Sequence, residues 1–233
     1  MKNRYITALR AALLITLPVL AGFLFLGAAY GIIMRSIGLG TFFTFLSSWM
    51  IFAGSMQYVA VTFYTAAFDP LGAFVLTLMV NARHIFYGLS LLDRLRGIGR
   101  VKPYVVFALC DETFSILVST PTPEGVDDGL FAFFTALLNR WYWIIGSVLG
   151  ALAGDFVRFD TRGLDFALTA LFVVIFINQW TEKANRPSSV VGVACSVVCL
   201  LIFGPSGFII PAMILMLLVF AIFFSKESEA KKT

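Results

Sequence analysis

The chain has 233 residues, 60% of them hydrophobic and only 13% charged, against roughly a quarter charged in soluble domains. Its formal net charge of +4 sits in the tails and short loops, with no aromatic-interleaved basic patch of the kind that grips nucleic acid. These values exclude a soluble globular fold. They leave an all-α integral membrane protein, read as a single polytopic membrane domain over 1–233 whose partner surface is the lipid bilayer.

Lys2, Arg4 and Arg10 precede the first apolar stretch, 11–34, which is too long for a signal-peptide core of roughly 7–15 residues and is read as a span. A helix needs roughly 20 apolar residues to cross, and further segments at about 41–67, 70–92, 104–120, 130–153, 164–181, 188–203 and 205–225 bring the expected number to about eight. Asp69-Pro70 and Lys102-Pro103 are helix-start signals. Thr120 to Gly129, with Glu124, Asp127 and Asp128, reads as a polar loop, and Gly204-Pro205-Ser206-Gly207 as a tight turn. Cys110, Cys195 and Cys199 lie inside apolar segments and read as buried free thiols. No cofactor and no metal is called for.

If every segment crosses, Lys and Arg show no bias between the two sides. If the second and sixth segments instead enter and return, both tails, 94–102, 158–162 and 183–186 fall inside and only Arg35 outside, with the acidic loop 124–128 outside. The positive-inside rule favours that arrangement. Phe52-Ala53-Gly54-Ser55-Met56-Gln57 supports it by interrupting the second segment as a broken helix would. Gly38-Leu39 before a run to Phe52 is echoed by Gly163-Leu164 before a run to Ile177. Two inverted repeats, about 11–120 and 130–225, are therefore expected, with both termini cytoplasmic.

Ionisable groups inside apolar segments default to functional candidates. The third segment holds Asn81, Arg83, His84, Tyr87 and Ser90, and the fourth holds Asp111 and Glu112. Arg83, His84, Asp111 and Glu112 are candidates for ion coupling: the intrinsic pKa of an imidazole suits proton exchange, and burial raises a carboxyl pKa. Arg83 pairing with a carboxylate simply to hold helices together is an equal reading. Ser55 and Gln57 at the break, with Asn81 and Tyr87, are candidate substrate contacts, although Gly54 and Ser55 also suit close helix packing. Asn139-Arg140-Trp141-Tyr142-Trp143 reads as an interfacial belt with a snorkelling arginine. A Ser55–His84 pair also admits an intramembrane serine hydrolase, and a non-transporting assembly subunit is the third reading.

Phe52-Ala53-Gly54-Ser55-Met56-Gln57, Asn81-x-Arg83-His84-x-x-Tyr87-Gly88-Leu89-Ser90 and Asp111-Glu112-Thr113-Phe114 together resemble the AzlC family, in order and spacing. Met56 departs from the small or polar residue many members carry. The resemblance implies a secondary exporter of valine, leucine, isoleucine and methionine in the bacterial cytoplasmic (inner) membrane. It also implies a partner, a small AzlD-type membrane subunit. The absence of G-x-x-x-x-G-K-[ST] makes coupling to an ion gradient, here protons, the simpler energy source.

Overall fold

The computed structural model describes residues 2–65, 67, 69–81 and 83–154, and beyond them 173, 176–177, 180–181, 186–204, 208, 211–212, 214–216 and 218–220. Contacts group into two compact units, Met1–Asp165 and Phe166–Thr233. The first contains α1 (Lys2–Ser36), α2 (Thr41–Met50), α3 (Gly54–Thr65), α4 (Pro70–Asn81), α5 (Arg83–Ser90), α6 (Leu92–Arg96), a 3-10 turn (Gly99–Val101), α7 (Lys102–Phe107), α8 (Asp111–Ser119) and α9 (Asp128–Ala153). In the second, α10 covers Arg186–Phe203 and buries Cys195 and Cys199 on one face. The described residues between Pro211 and Phe220 are helical as well. No described residue lies in a strand. Most of the expected sixth segment, and with it any break there, lies outside the described residues.

Two helices, Arg4–Ser36 and Arg186–Phe203, are each long and apolar enough to cross a bilayer. Large apolar side chains such as Phe25, Leu14 and Phe42 are more than two-thirds exposed, as a lipid-facing surface requires and a water-facing one disfavours.

The first unit is organised by α1 and α9, which run parallel. Arg4 meets Asp127, Thr16 meets Tyr142, and Arg35 packs on Gly154. Small residues make this approach possible. A Cβ on Gly27 would lie 2.9 Å from the Ser147 nitrogen and the Trp143 oxygen, and one on Gly146 would lie 2.7 Å from the Phe23 oxygen. Gly31 and Gly150 are tighter still, against the Ser147 and Ala28 carbonyls. Each helix thus contributes a small-xxx-small pair that lets backbones touch.

From the Arg35 end, α2 runs inward as far as Trp49, whose carbonyl accepts from Arg140 halfway along α9. Ile51-Phe52-Ala53 is non-helical, with Phe52 at φ +40°. From there α3 turns back towards the Arg35 end: Tyr58 donates to the Leu26 carbonyl at 2.6 Å and its ring lies 5.6 Å from that of Tyr30. The expected break in the second segment is therefore present, and α3 folds back along α2. Asp69 caps α4 by accepting from Gly72 N at 2.9 Å, with Pro70 in its first turn. Then α4 and α5 carry the chain past Ser55 to the Arg4 end, where Arg94 reaches Asp128.

Four expectations need correction. The fourth segment does not cross: α7 ends at Phe107, Ala108–Cys110 unwind, and α8 returns to Arg94, which donates to the carbonyls of Leu117 and Thr120. The acidic loop therefore lies at the same end as the N-terminus and Arg94, bonded to both through Asp127 and Asp128; these carboxylates neutralise basic residues rather than marking the opposite side. Finally, a repeat inverted at residue 130 would set α9 antiparallel to α1, whereas the two are parallel. Arg140 also sits at mid-helix rather than in an interfacial belt. Its charge rests on the Trp49 carbonyl and the rings of Phe107, Tyr104 and Trp49, with centroids 4.8, 5.8 and 5.9 Å away.

Candidate functional site

Two re-entrant hairpins, α2–α3 and α7–α8, bring their turns to the middle of the unit from opposite ends, and the α4–α5 junction passes between them. Each turn supplies a helix N-terminus, at Gly54 and at Asp111. Helix N-termini carry unpaired N–H groups and a partial positive charge, so a centre built from two of them suits anionic groups.

Arg83 is the hub. Its Nη2 donates to Ser55 Oγ at 2.8 Å and lies 3.2 Å from Asp111 Oδ2. Tyr87, one turn further along α5, donates to Asp111 Oδ1 at 2.6 Å. The three sequence motifs are thereby joined through side chains. Both members of the Arg83–Asp111 pair remain about one-third exposed, so a small solute can reach them. Tyr87 stacks on Phe114 with centroids 4.3 Å apart, and His84 meets the Tyr87 ring edge-on at 5.4 Å.

His84 Nδ1 lies 3.1 Å from the Asn81 carbonyl oxygen. A carbonyl only accepts, so the proton of that bond is on Nδ1 and Nε2 is the nitrogen left to exchange protons. Ser55 Oγ accepts from Arg83, and among the described residues it makes no bond to His84, so the pair lacks the hydroxyl-to-imidazole contact of a nucleophile with its base. Two buried atoms of the cluster have no partner among the described residues, the donor Arg83 Nε and the acceptor Asn81 Oδ1.

Gln57 is brought close in sequence but not into this space. It is fully buried, donates to Ser48 Oγ at 3.1 Å and accepts from Trp143 Nε1 at 2.8 Å. The bonds fasten the first hairpin to α9. Gly54 serves the same contact: a Cβ there would lie 3.1 Å from the Trp143 ring. Glu112, beside Asp111 in the first turn of α8, makes no ion pair among the described residues.

The sequence sets Thr113 beside Asp111 and Glu112 and Asn139 in an interfacial belt; the structure buries both fully and joins them by a 3.0 Å bond from Asn139 Nδ2 to Thr113 Oγ1. An asparagine deep in an apolar segment was the available signal. Residues 18–157 match the AzlC protein family. The chain is 51% identical to a Bacillus subtilis protein named branched-chain amino acid transport protein AzlC, over 90% of this chain and 83% of that one. The chain belongs to the AzlC family. It is also 38% identical to a membrane protein of Haemophilus influenzae, over 91% of this chain and 87% of that one. With a membrane protein of Helicobacter pylori it shares 36% identity over 95% of this chain and 97% of the other. No solved structure matches. The AzlC family is one of transport proteins, so this chain is a transport protein rather than a hydrolase.

Proposed function

We propose that this chain is the transport subunit of a secondary exporter of branched-chain amino acids, working with a small AzlD-type subunit in the bacterial cytoplasmic membrane and driven by protons. The observation that carries the amino-acid reading is the unpaired donor and acceptor at the α4–α5 junction, Arg83 Nε and Asn81 Oδ1. A zwitterion satisfies both, carboxylate on the arginine and ammonium on the amide oxygen, with Ser55 and the α3 N-terminus behind the carboxylate. The name carried by the Bacillus subtilis relative supports the branched-chain class, with methionine as a fourth substrate of similar bulk. An apolar pocket discriminates one methylene by only about 1–3 kcal/mol, so overlapping use of valine, leucine and isoleucine follows.

A proton on Asp111 weakens its hold on Arg83 and frees the guanidinium for substrate; Tyr87, His84 and Glu112 line the route by which it arrives. Arg4, Arg10, Arg94, Arg96, Arg100 and Lys102 belong to one end and Arg35 to the other, which supports a cytoplasmic N-terminus. The C-terminus is assigned to the same side by its lysines.

The test uses cells lacking their own branched-chain exporters, loaded with a valine-containing dipeptide. Valine release should rise with this chain and its small partner together and collapse with a protonophore. Normal export by both His84→Ala and Asp111→Asn at wild-type protein levels would remove the proton route. No release from correctly inserted protein would remove the substrate class.

A further inference from the structure

Behind the Arg83 cluster, on its α9 side, lies a second group of oxygens. Asn139 and Thr135 are one helical turn apart on α9, both with no exposed surface. Asn139 gives its amide nitrogen to Thr113 Oγ1 at 3.0 Å, in the first turn of α8. Thr113 can accept because its own proton has Cys110 Sγ at 3.2 Å to go to. That leaves Asn139 Oδ1 beside the first turn of α8 without a partner among the described residues, and Thr135 Oγ1 likewise. Fully buried oxygens without donors are rare in native proteins and ask for an explanation.

Further oxygens lie at the break, opposite the N–H groups of the α8 N-terminus. Helix α7 ends at Phe107, and the last carbonyls of a helix lack intrahelical partners. Val105 and Leu109 pack in one cluster with Phe131 and Ala132, which brings the end of α7 alongside the Thr135 turn of α9. The half-buried Glu112 carboxylate follows two residues after the unwound Ala108–Cys110 and is bonded by the Cys110 thiol, with no ion pair among the described residues. A hard cation is one ligand that amide oxygen, hydroxyl, helix-end carbonyls and a carboxylate can hold together, since a shell of oxygens without thiolate or imidazole favours a hard ion. Unwound backbone and half-helix C-termini are a recurrent setting for sodium in membrane carriers.

We infer that the α7–α8 break, closed by Asn139 and Thr135 of α9 and neutralised by Glu112, is a sodium site. It goes beyond the proton-driven reading and does not rest on it; sodium there would hold α8 in place and so fix Asp111 opposite Arg83.

The test measures the ion directly and needs no transport. Thermal midpoints of the purified full chain in lipid nanodiscs, followed by tryptophan fluorescence, are compared in sodium chloride and choline chloride at equal ionic strength and pH. Sodium should raise the wild-type midpoint saturably by a few degrees, as a ligand of the folded state alone does. Thr135→Val, nearly isosteric and expected to fold, should lose that rise; Asn139→Asp, which keeps an oxygen in place, should retain it. Equal midpoints in sodium and choline for the wild type would overturn the site. So would a sodium response undiminished in Thr135→Val, or stabilisation there by leucine in place of sodium. A failed export assay with an intact sodium response would remove the exporter and leave the site.

Discussion

The α1–α9 pair and the hairpin region around Arg83 cross the same depth and are built by opposite rules. In the pair, glycines let backbone lie on backbone, so contact is fixed by main-chain shape and has no soft side chain to yield. Around Arg83, helices are cut into pieces of 8 to 12 residues, none of the described side chains of α4 is buried, and the elements meet through hydrogen bonds that a solute can replace. Packed interfaces switch between discrete arrangements rather than deform. The pair is therefore the frame, and the hairpins with α4–α5 are the parts that rearrange.

The largest effect should come from breaking the frame. Gly150→Leu drives a side chain into the Ala28 backbone and should cost about 3 kcal/mol or more, beyond ordinary overpacking. Little folded protein should survive size-exclusion chromatography in mild detergent; a monodisperse peak with wild-type thermal midpoint would mean that α1 and α9 do not depend on this contact.

Next comes Arg94, which ties the mobile part to the frame. It donates to Asp128, to Thr122 and to the carbonyls of Leu117 and Thr120. Arg94→Met keeps its bulk and leaves those acceptors unpaired, at a cost of about 2 kcal/mol. Protease nicking of the 120–127 loop should accelerate while α9 stays intact. Equal destabilisation of both would show that the loop and the frame are one unit.

The frame was written in the sequence, as Gly27-x-x-x-Gly31 and Gly146-x-x-x-Gly150, and it was overlooked because glycine carries no hydropathy signal. The break at Phe52-Ala53-Gly54 was legible because polar and small residues interrupt an apolar run. The equivalent break at Ala108-Leu109-Cys110 was not: those residues are apolar, and only the orphaned N-terminus of α8 reveals it. Arg83, Asp111, Tyr87 and Ser55 were legible as charge and polarity where lipid should be. Their mutual contacts were not, because two hairpins that enter from opposite ends cannot be seen in one dimension. Charge counting misplaced the acidic loop for a related reason: Asp127 and Asp128 answer Arg4 and Arg94, and pairing is invisible to a tally of one sign.

A smaller change in stability should separate the site from the frame. Asp111→Asn removes half of a one-third-exposed ion pair and should alter stability by about 1 kcal/mol or less. A lost charge-assisted bond of about 1.5–3 kcal/mol in the working cycle corresponds to roughly ten- to a hundredfold in rate. Valine efflux should therefore fall steeply with the thermal midpoint nearly unmoved; parallel losses would make Arg83–Asp111 a structural pair.

The smallest effect tests whether the frame can be loosened without touching the site. Asp127 caps α9 by accepting from Leu130 N at 2.9 Å. That backbone N–H, followed by Arg4, holds its carboxyl below the ordinary value of 3.8. A folded-state pKa below the unfolded one means that the stabilisation is present above the unfolded value and is lost as pH falls through the folded one. Wild-type midpoints should thus decline below about pH 4 more steeply than those of Asp127→Asn, which keeps an acceptor but cannot titrate. Asp127→Ala should cost about 1 kcal/mol at neutral pH as a lost N-cap, whereas Arg4→Gln should change little, because the pair is exposed. Efflux at pH 7 should be unchanged in Asp127→Asn, since the cap lies at the end of α9 and the Arg83 cluster at its middle. A matching loss of efflux would mean that the frame's end moves with the transport cycle, and the division between rigid pair and mobile hairpins would have to be redrawn at Asp127.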